Sequence, residues 1–236
     1  MGDGTRARRF GWFEDVSREH GFELLRVEGD LPRELAGTLY RTGPGLFGSF
    51  GRSYAHLVEG DGAIVTDFVR HADLRAMGTM SDAAVRDGAI VDMDGGALCR
   101  ATIDWRAGRM DTERVFGEPC EFPTIDVRGA GAPHRYAWVA TTEKRPRSIV
   151  RFDFERRDAA AWTPPPGQHV SEPVIAPRAA GDGECDGWAL VLVYDERIAT
   201  SHVAVLDAAH PEDGPVARVH FDHHVPLTLH GCWVGG

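Results

Sequence analysis

Residues 97–115 begin Ala97-Leu98-Cys99-Arg100-Ala101-Thr102-Ile103 and turn through Asp104-Trp105-Arg106-Ala107-Gly108-Arg109. They return in a second extended run, Thr112–Val115. Both runs are short, and the turn carries an Asp followed by a Gly that can take positive φ, so the unit reads as a β-hairpin. The same grammar recurs around it. Extended segments are expected at Gly37–Arg41, Ala63–Val69, Ala89–Met93, Tyr136–Thr141, Ser148–Phe154, Ala189–Tyr194, Val203–Leu206 and Val216–Phe221. The loop Leu206–Gly214 repeats the Asp-to-Gly pattern at greater length. Short strands at regular spacing, separated by Gly, Pro and Asp, indicate an all-β sandwich, barrel or propeller. The best helix candidate is a short stretch within Met77–Val85, near Ser81. Thr163–Gly167, with three consecutive prolines, and the polar, Gly-rich Ala179–Gly187 read as loops inside one domain.

Composition narrows the classes of function. The 236 residues can bury a core. The formal charge is −10 and no Lys/Arg face forms, which argues against a nucleic-acid partner. Lys144 is the only lysine; with abundant Ala, Gly, Arg and Asp, this suggests a GC-rich bacterial genome. Cys99, Cys120, Cys185 and Cys232 form no C-x-x-C pair, so a zinc ribbon, a redox motif and a disulfide framework are not expected. A reducing cytoplasm is the expected home. The opening MGDGTRARRFGWFEDV has no apolar stretch after its charges and does not read as a signal peptide. The longest apolar run, Trp188–Tyr194, falls far short of the roughly 20 residues a transmembrane helix requires. Peripheral membrane contact is left open.

Several motifs occur in a telling order. The chain reads Gly29-Asp30-Leu31-Pro32-Arg33-Glu34-Leu35-Ala36-Gly37-Thr38-Leu39-Tyr40-Arg41-Thr42-Gly43-Pro44-Gly45, then His56-Leu57-Val58-Glu59-Gly60-Asp61-Gly62. Further on come Glu121-Phe122-Pro123-Thr124-Ile125-Asp126 and Arg135-Tyr136. Ser171-Glu172-Pro173-Val174-Ile175-Ala176-Pro177-Arg178 and Asp186-Gly187-Trp188 to Asp195 follow. Val225-Pro226-Leu227-Thr228-Leu229-His230-Gly231-Cys232-Trp233 closes the series. Each alone is turn chemistry. Together, in order from about residue 20 onward, they resemble the carotenoid cleavage oxygenases.

The resemblance implies a fold and a chemistry. The family is a seven-bladed β-propeller with one axial Fe(II) held by four histidines. Glutamates accept the remaining ring N–H of those ligands, and O2 adds across a double bond of an apolar polyene or stilbene. Carried over by position, His230 matches the last iron ligand, and Glu121 and Glu172 match ligand-orienting glutamates. Without the family, the three would read as a buried His at a strand end and two carboxylates capping turns before proline. The patterns H-P-K/H-x-D, H-D-F and H-x-x-N-A-Y/F-E, which would carry the other ligands, are absent.

Family chains are roughly twice this length. The expectation is therefore a single incomplete propeller domain over 1–236, an N-terminal part 20–69 joined to a C-terminal part 88–236, with several blades missing. Such a chain would be an Fe(2+) dioxygenase only with ligands from a partner, and otherwise an inactive remnant or a non-catalytic β-scaffold. Open sheet edges would favour self-association. The dense run His220-Phe221-Asp222-His223-His224, if a strand, would put His220, Asp222 and His224 on one face. Its span is too wide for one ion, and it reads as blade-edge histidines. His56 and His134 lie off the ligand positions and read as structural hydrogen-bonders.

Overall fold

The computed structural model describes residues 23–42, 56–60, 63–72, 95–104, 106–130, 132–142, 147–179, 181, 183–226, 228 and 230–235. The expected helix at 77–85 and strand at 89–93 lie outside them. Two strands come first among the described residues, β1 (Arg26–Gly29) and β2 (Gly37–Thr42). The first meander is β3 (His56–Gly60), β4 (Ala63–Arg70), β5 (Ala97–Asp104) and β6 (Arg109–Arg114). The second is β7 (Cys120–Thr124), β8 (Tyr136–Thr141), β9 (Ile149–Asp153) and β10 (Asp158–Trp162). The third is β11 (Gln168–Pro177), β12 (Gly187–Asp195), β13 (Thr200–Asp207) and β14 (Pro215–His220), and β15 (His230–Gly235) follows. Every pairing is antiparallel. Among the described residues there is no α-helix.

The hairpins share one turn device. Asp104 Oδ1 accepts from the N–H groups of Arg106 (3.0 Å) and Ala107 (2.9 Å), and Gly108 takes φ 62°. Asp153 Oδ1 accepts from the N–H groups of Glu155 and Arg156, and Arg157 takes φ 54°. Asp195 Oδ1 accepts from Arg197 N–H, and Ala199 takes φ 52°. In each case the Asp side chain replaces ladder partners the turn has lost, and the residue four positions on supplies the left-handed corner. Only the first of the three uses glycine there.

Alternation along the strands stacks the sheets face to face. Trp138 and Ala140 of β8 join Ile149, Val191, Val193 and Leu206 in a core between the second and third sheets. Val139, from the same strand, points the other way and packs with Leu98, Cys120 and Phe152 against the first sheet. Strand β12 is buried along its whole length. Its Ala189, Val191 and Val193 face the second sheet, while Trp188 and Leu190 face a core completed by Leu39 and Trp233. A sheet covered on both faces reads as the near-continuous apolar run Trp188–Tyr194.

The two ends of the described chain are knitted together. β1 pairs with β14 as the fifth strand of the third sheet, and β2 pairs with β15 in a two-stranded unit. Three stacked meanders and a partial fourth sheet form an incomplete β-propeller.

Candidate functional site

Two strands that open a sheet, β7 and β11, carry the same irregularity. In each a glutamate precedes a proline, as Glu121-Phe122-Pro123 and as Glu172-Pro173. Proline has no N–H for the ladder, and the register slips between Glu121 and Thr124 and between Val170 and Pro173. Such bulges re-aim side chains. Phe122 adopts φ 59°, a costly conformation for an aromatic residue and one concentrated at functional sites. The glutamates therefore sit inside bulged strands, not in turns before proline.

Glu172 is buried, and its two oxygens have different partners. Oε2 accepts from Gly231 N–H at 2.8 Å, and Oε1 lies 3.2 Å from His230 Nδ1. His230 starts β15, with its side chain 37% exposed. Arg41 of β2 reaches the same place: Nη1 donates to the Glu172 main-chain oxygen (3.1 Å) and lies 3.5 Å from Oε2. Its Nη2 donates to Ser171 Oγ and its Nε to Thr228 Oγ1, both at 2.9 Å. Burial lowers the pKa of Arg41, against the opposing pull of Glu172.

Glu121 has a histidine as well. His71, just beyond β4, places Nε2 2.9 Å from Glu121 Oε1, close but off hydrogen-bond alignment. Burial raises the pKa of Glu121, with His71, the Gly96 N–H and Arg147 pulling the other way. Gly95 and Gly96 let the chain pass close to β7 and β4: a Cβ on Gly95 would strike Thr142 Oγ1 and Cys120 N, and one on Gly96 would strike Val69 Cγ1. Phe122, next in the chain to Glu121, meets His230 edge-on, ring centroids 6.3 Å apart. Nothing local in the sequence marks His71, because its carboxylate comes from the next sheet.

The remaining histidines do other work. His134 is buried with Asp67 and Arg100 between the first and second sheets. Arg100 grips Asp67 through Nε–Oδ1 (2.8 Å) and Nη2–Oδ2 (2.9 Å), and its guanidinium lies 3.3 Å above the Phe154 ring. Burial alone would raise the Asp67 pKa, but the bonds from Arg100 and His134 win and lower it. Strand β14 stops at His220, so 220–224 is not one strand face. His220 Nε2 lies 3.2 Å from Glu28 on β1, and His223 bonds Asp222. Among the described residues the only three-donor cluster is Glu23, Asp222 and His223, with donor atoms within 4.8 Å of one another. Glu23 and Asp222 are exposed and His223 half-buried, and β14, which ends just before the latter two, is separated from β11 by β13 and β12. The side chain of His56 lies outside the described residues. Cys99, Cys120, Cys185 and Cys232 are thiols. Burial pushes Cys120 up to about 12 and Cys185 up to about 11, leaving them inert.

His71 and His230 each have a carboxylate partner, but with Glu121 and Glu172 they form no three-donor cluster within 4.8 Å. Two imidazoles with carboxylate partners fit the manner of an iron centre but not its full donor count, since a retained Fe(II) needs several convergent ligands.

Stacked meanders with knitted ends define the class as an incomplete β-propeller. The profile of the family described as retinal pigment epithelial membrane protein matches residues 13–70 and 64–235, and the chain belongs to that family of carotenoid cleavage oxygenases. The two matched stretches overlap at 64–70, on β4. The chain is 30% identical over 185 residues to apocarotenoid-15,15'-oxygenase of Synechocystis, covering 76% of this chain and 37% of that protein. It is 28% identical over 127 residues to lignostilbene-alpha,beta-dioxygenase isozyme III of Sphingomonas paucimobilis, covering 48% of this chain and 26% of that one. A crystal structure of cobalt-substituted Synechocystis ACO superposes with TM-score 0.66 at 26% identity, covering 78% of this chain and 39% of that one. The chain thus spans well under half the length of these relatives. No helix among the described residues is long and apolar enough to cross a membrane.

Proposed function

We propose that this chain carries half of the iron centre of a carotenoid-cleaving type of dioxygenase. His71 and His230 are its Fe(II) donors, and Glu121 and Glu172 orient them. The observation that carries this reading is the repetition: two sheets each open on a bulged Glu-before-Pro strand, and each glutamate meets a histidine from a neighbouring sheet. A carboxylate on one ring nitrogen fixes the tautomer and raises the basicity of the other. The relatives' names support an apolar polyene or stilbene as substrate, with O2 as co-substrate.

Two donors do not hold the ion against water, so this chain alone is catalytically silent. The family stretches overlap at 64–70, which supports a join there, with the C-terminal part beginning near 64 and not at 88, and with the intervening blades and their ligands lacking. Oxygen chemistry would require the missing donors from another polypeptide. The test is anaerobic loading with Fe(II) followed by gel filtration and metal analysis. Less than about one tenth of an equivalent is expected to remain, given the donor count. Near-stoichiometric iron with cleavage of an apocarotenoid would overturn the silent reading. A Co(II) titration followed by NMR is expected to broaden His71 and His230 together. Broadening confined to His223 would remove the half-centre.

A further inference from the structure

We infer that Arg41 is a positioning residue that determines which ring nitrogen of His230 carries the proton. The inference rests on the proposed role of His230 for its consequence, but not for its test. Glu172 sits in a stretch of β11 that has left the ladder, since pairing with β12 lapses between Val170 and Pro173. The peptide and side-chain groups of Ser171 and Glu172 must therefore find partners elsewhere. Arg41 supplies them from β2, where it lies in register opposite Gly231 of β15. Its planar fork donates to Ser171 Oγ, to the Glu172 main-chain oxygen and to Thr228 Oγ1 on the approach to β15. One side chain thus ties three strands together, with only 10% of its surface exposed.

The consequence falls on the carboxylate. Guanidinium and peptide N–H groups can only donate. Arg41 Nη1 and Gly231 N–H both approach Glu172 Oε2, at 3.5 and 2.8 Å, so that oxygen is turned toward the β15 backbone. The same orientation presents Oε1 to His230 Nδ1 at 3.2 Å. A carboxylate oxygen accepts, so Nδ1 must hold the proton and the lone pair resides on Nε2. Were the fork absent, the Gly231 N–H alone would hold Glu172 Oε2, and the carboxylate would be freer to turn Oε1 away from Nδ1. In a metal-binding role, the donor atom of His230 is then Nε2, chosen before any metal arrives.

Long-range 1H–15N correlation spectra of the 15N-labelled, metal-free full chain at pH 8, above the ordinary histidine range, read the tautomer directly. The native chain is expected to show His230 mainly as Nδ1–H. In Arg41→Met with a native-like amide spectrum, that fraction is expected to fall measurably, because Glu172 then keeps only the Gly231 N–H as its anchor. Arg41→Lys, which keeps the charge without the fork, is expected to fall between. An unchanged Nδ1–H population in folded Arg41→Met, or Nε2–H as the main form in the native chain, would overturn the inference. Should Arg41→Met not fold, the double variant Ser171→Ala/Thr228→Val removes two of the fork's anchors without burying a lone charge. A lower Nδ1–H fraction there supports the inference, and an unchanged one overturns it. Failure of the Co(II) titration would remove the half-centre while leaving this result standing, so the two can be told apart.

Discussion

Replacing His202 with leucine is expected to flatten the acid side of the stability profile. His202 lies on β13 between Val193 of β12 and His220 of β14, is 3% exposed, and has no hydrogen-bond partner for Nε2. Burial holds its pKa down, helped by His220 and Arg218 and opposed by Asp195 and Glu28, from the ordinary 6.5 to about 4. A depressed histidine favours the neutral form in the fold. Its contribution is therefore complete above pH 6.5, where both states are neutral, and is lost as pH falls from 6.5 toward 4, where only the unfolded chain takes the proton. The loss over the window is about 3 kcal/mol, at no more than about 1.4 kcal/mol per pH unit. Leucine is of similar size, does not titrate and removes a buried unpartnered nitrogen, so stability at pH 7 is expected to hold or rise. Urea unfolding of both proteins at pH 7.0, 5.5 and 4.5 measures the difference. By pH 4.5 the leucine variant is expected to lead by over 2 kcal/mol, on the order of the shift itself. Parallel profiles for the two proteins would refute the reasoning.

Two further outcomes follow from the backbone. Ala199→Gly relieves a left-handed corner at φ 52° and is expected to stabilise by about 0.5–1 kcal/mol, read as a rise in Tm of a few degrees. Gly37→Ala puts a methyl about 2.4 Å from Trp233 Cζ2 and 2.5 Å from the Val234 carbonyl, and is expected to cost about 1–3 kcal/mol. Hydrogen exchange would report it as lost amide protection across β2 and β15.

Much of the fold is readable because burial enforces period and length. Tyr136–Thr141 is a strand over the same residues the pattern marks, and Ala97–Ile103 extends by only one. The misses have a shared cause. Pro123, Pro173 and Pro177 look like breakers, yet β7 and β11 run through them because a bulge or strand end asks no N–H of them. The turn device went half seen, since Arg157 and Ala199 occupy the corner that only Gly108 announces. At the site, His230, Glu121 and Glu172 stand out by their motifs. His71 and Arg41 gain their roles from partners on other strands, and no local pattern encodes such a meeting.

The pairing of β1 with β14 has a temporal cost. Glu28 meets His220 across 192 positions of chain. At about 5–20 residues per second of synthesis, the N-terminal strand waits about 10–40 s for the strand that completes it. During that interval its free edge is available to any passing partner, so yield in a cell is expected to depend on how well chaperones guard the nascent polypeptide.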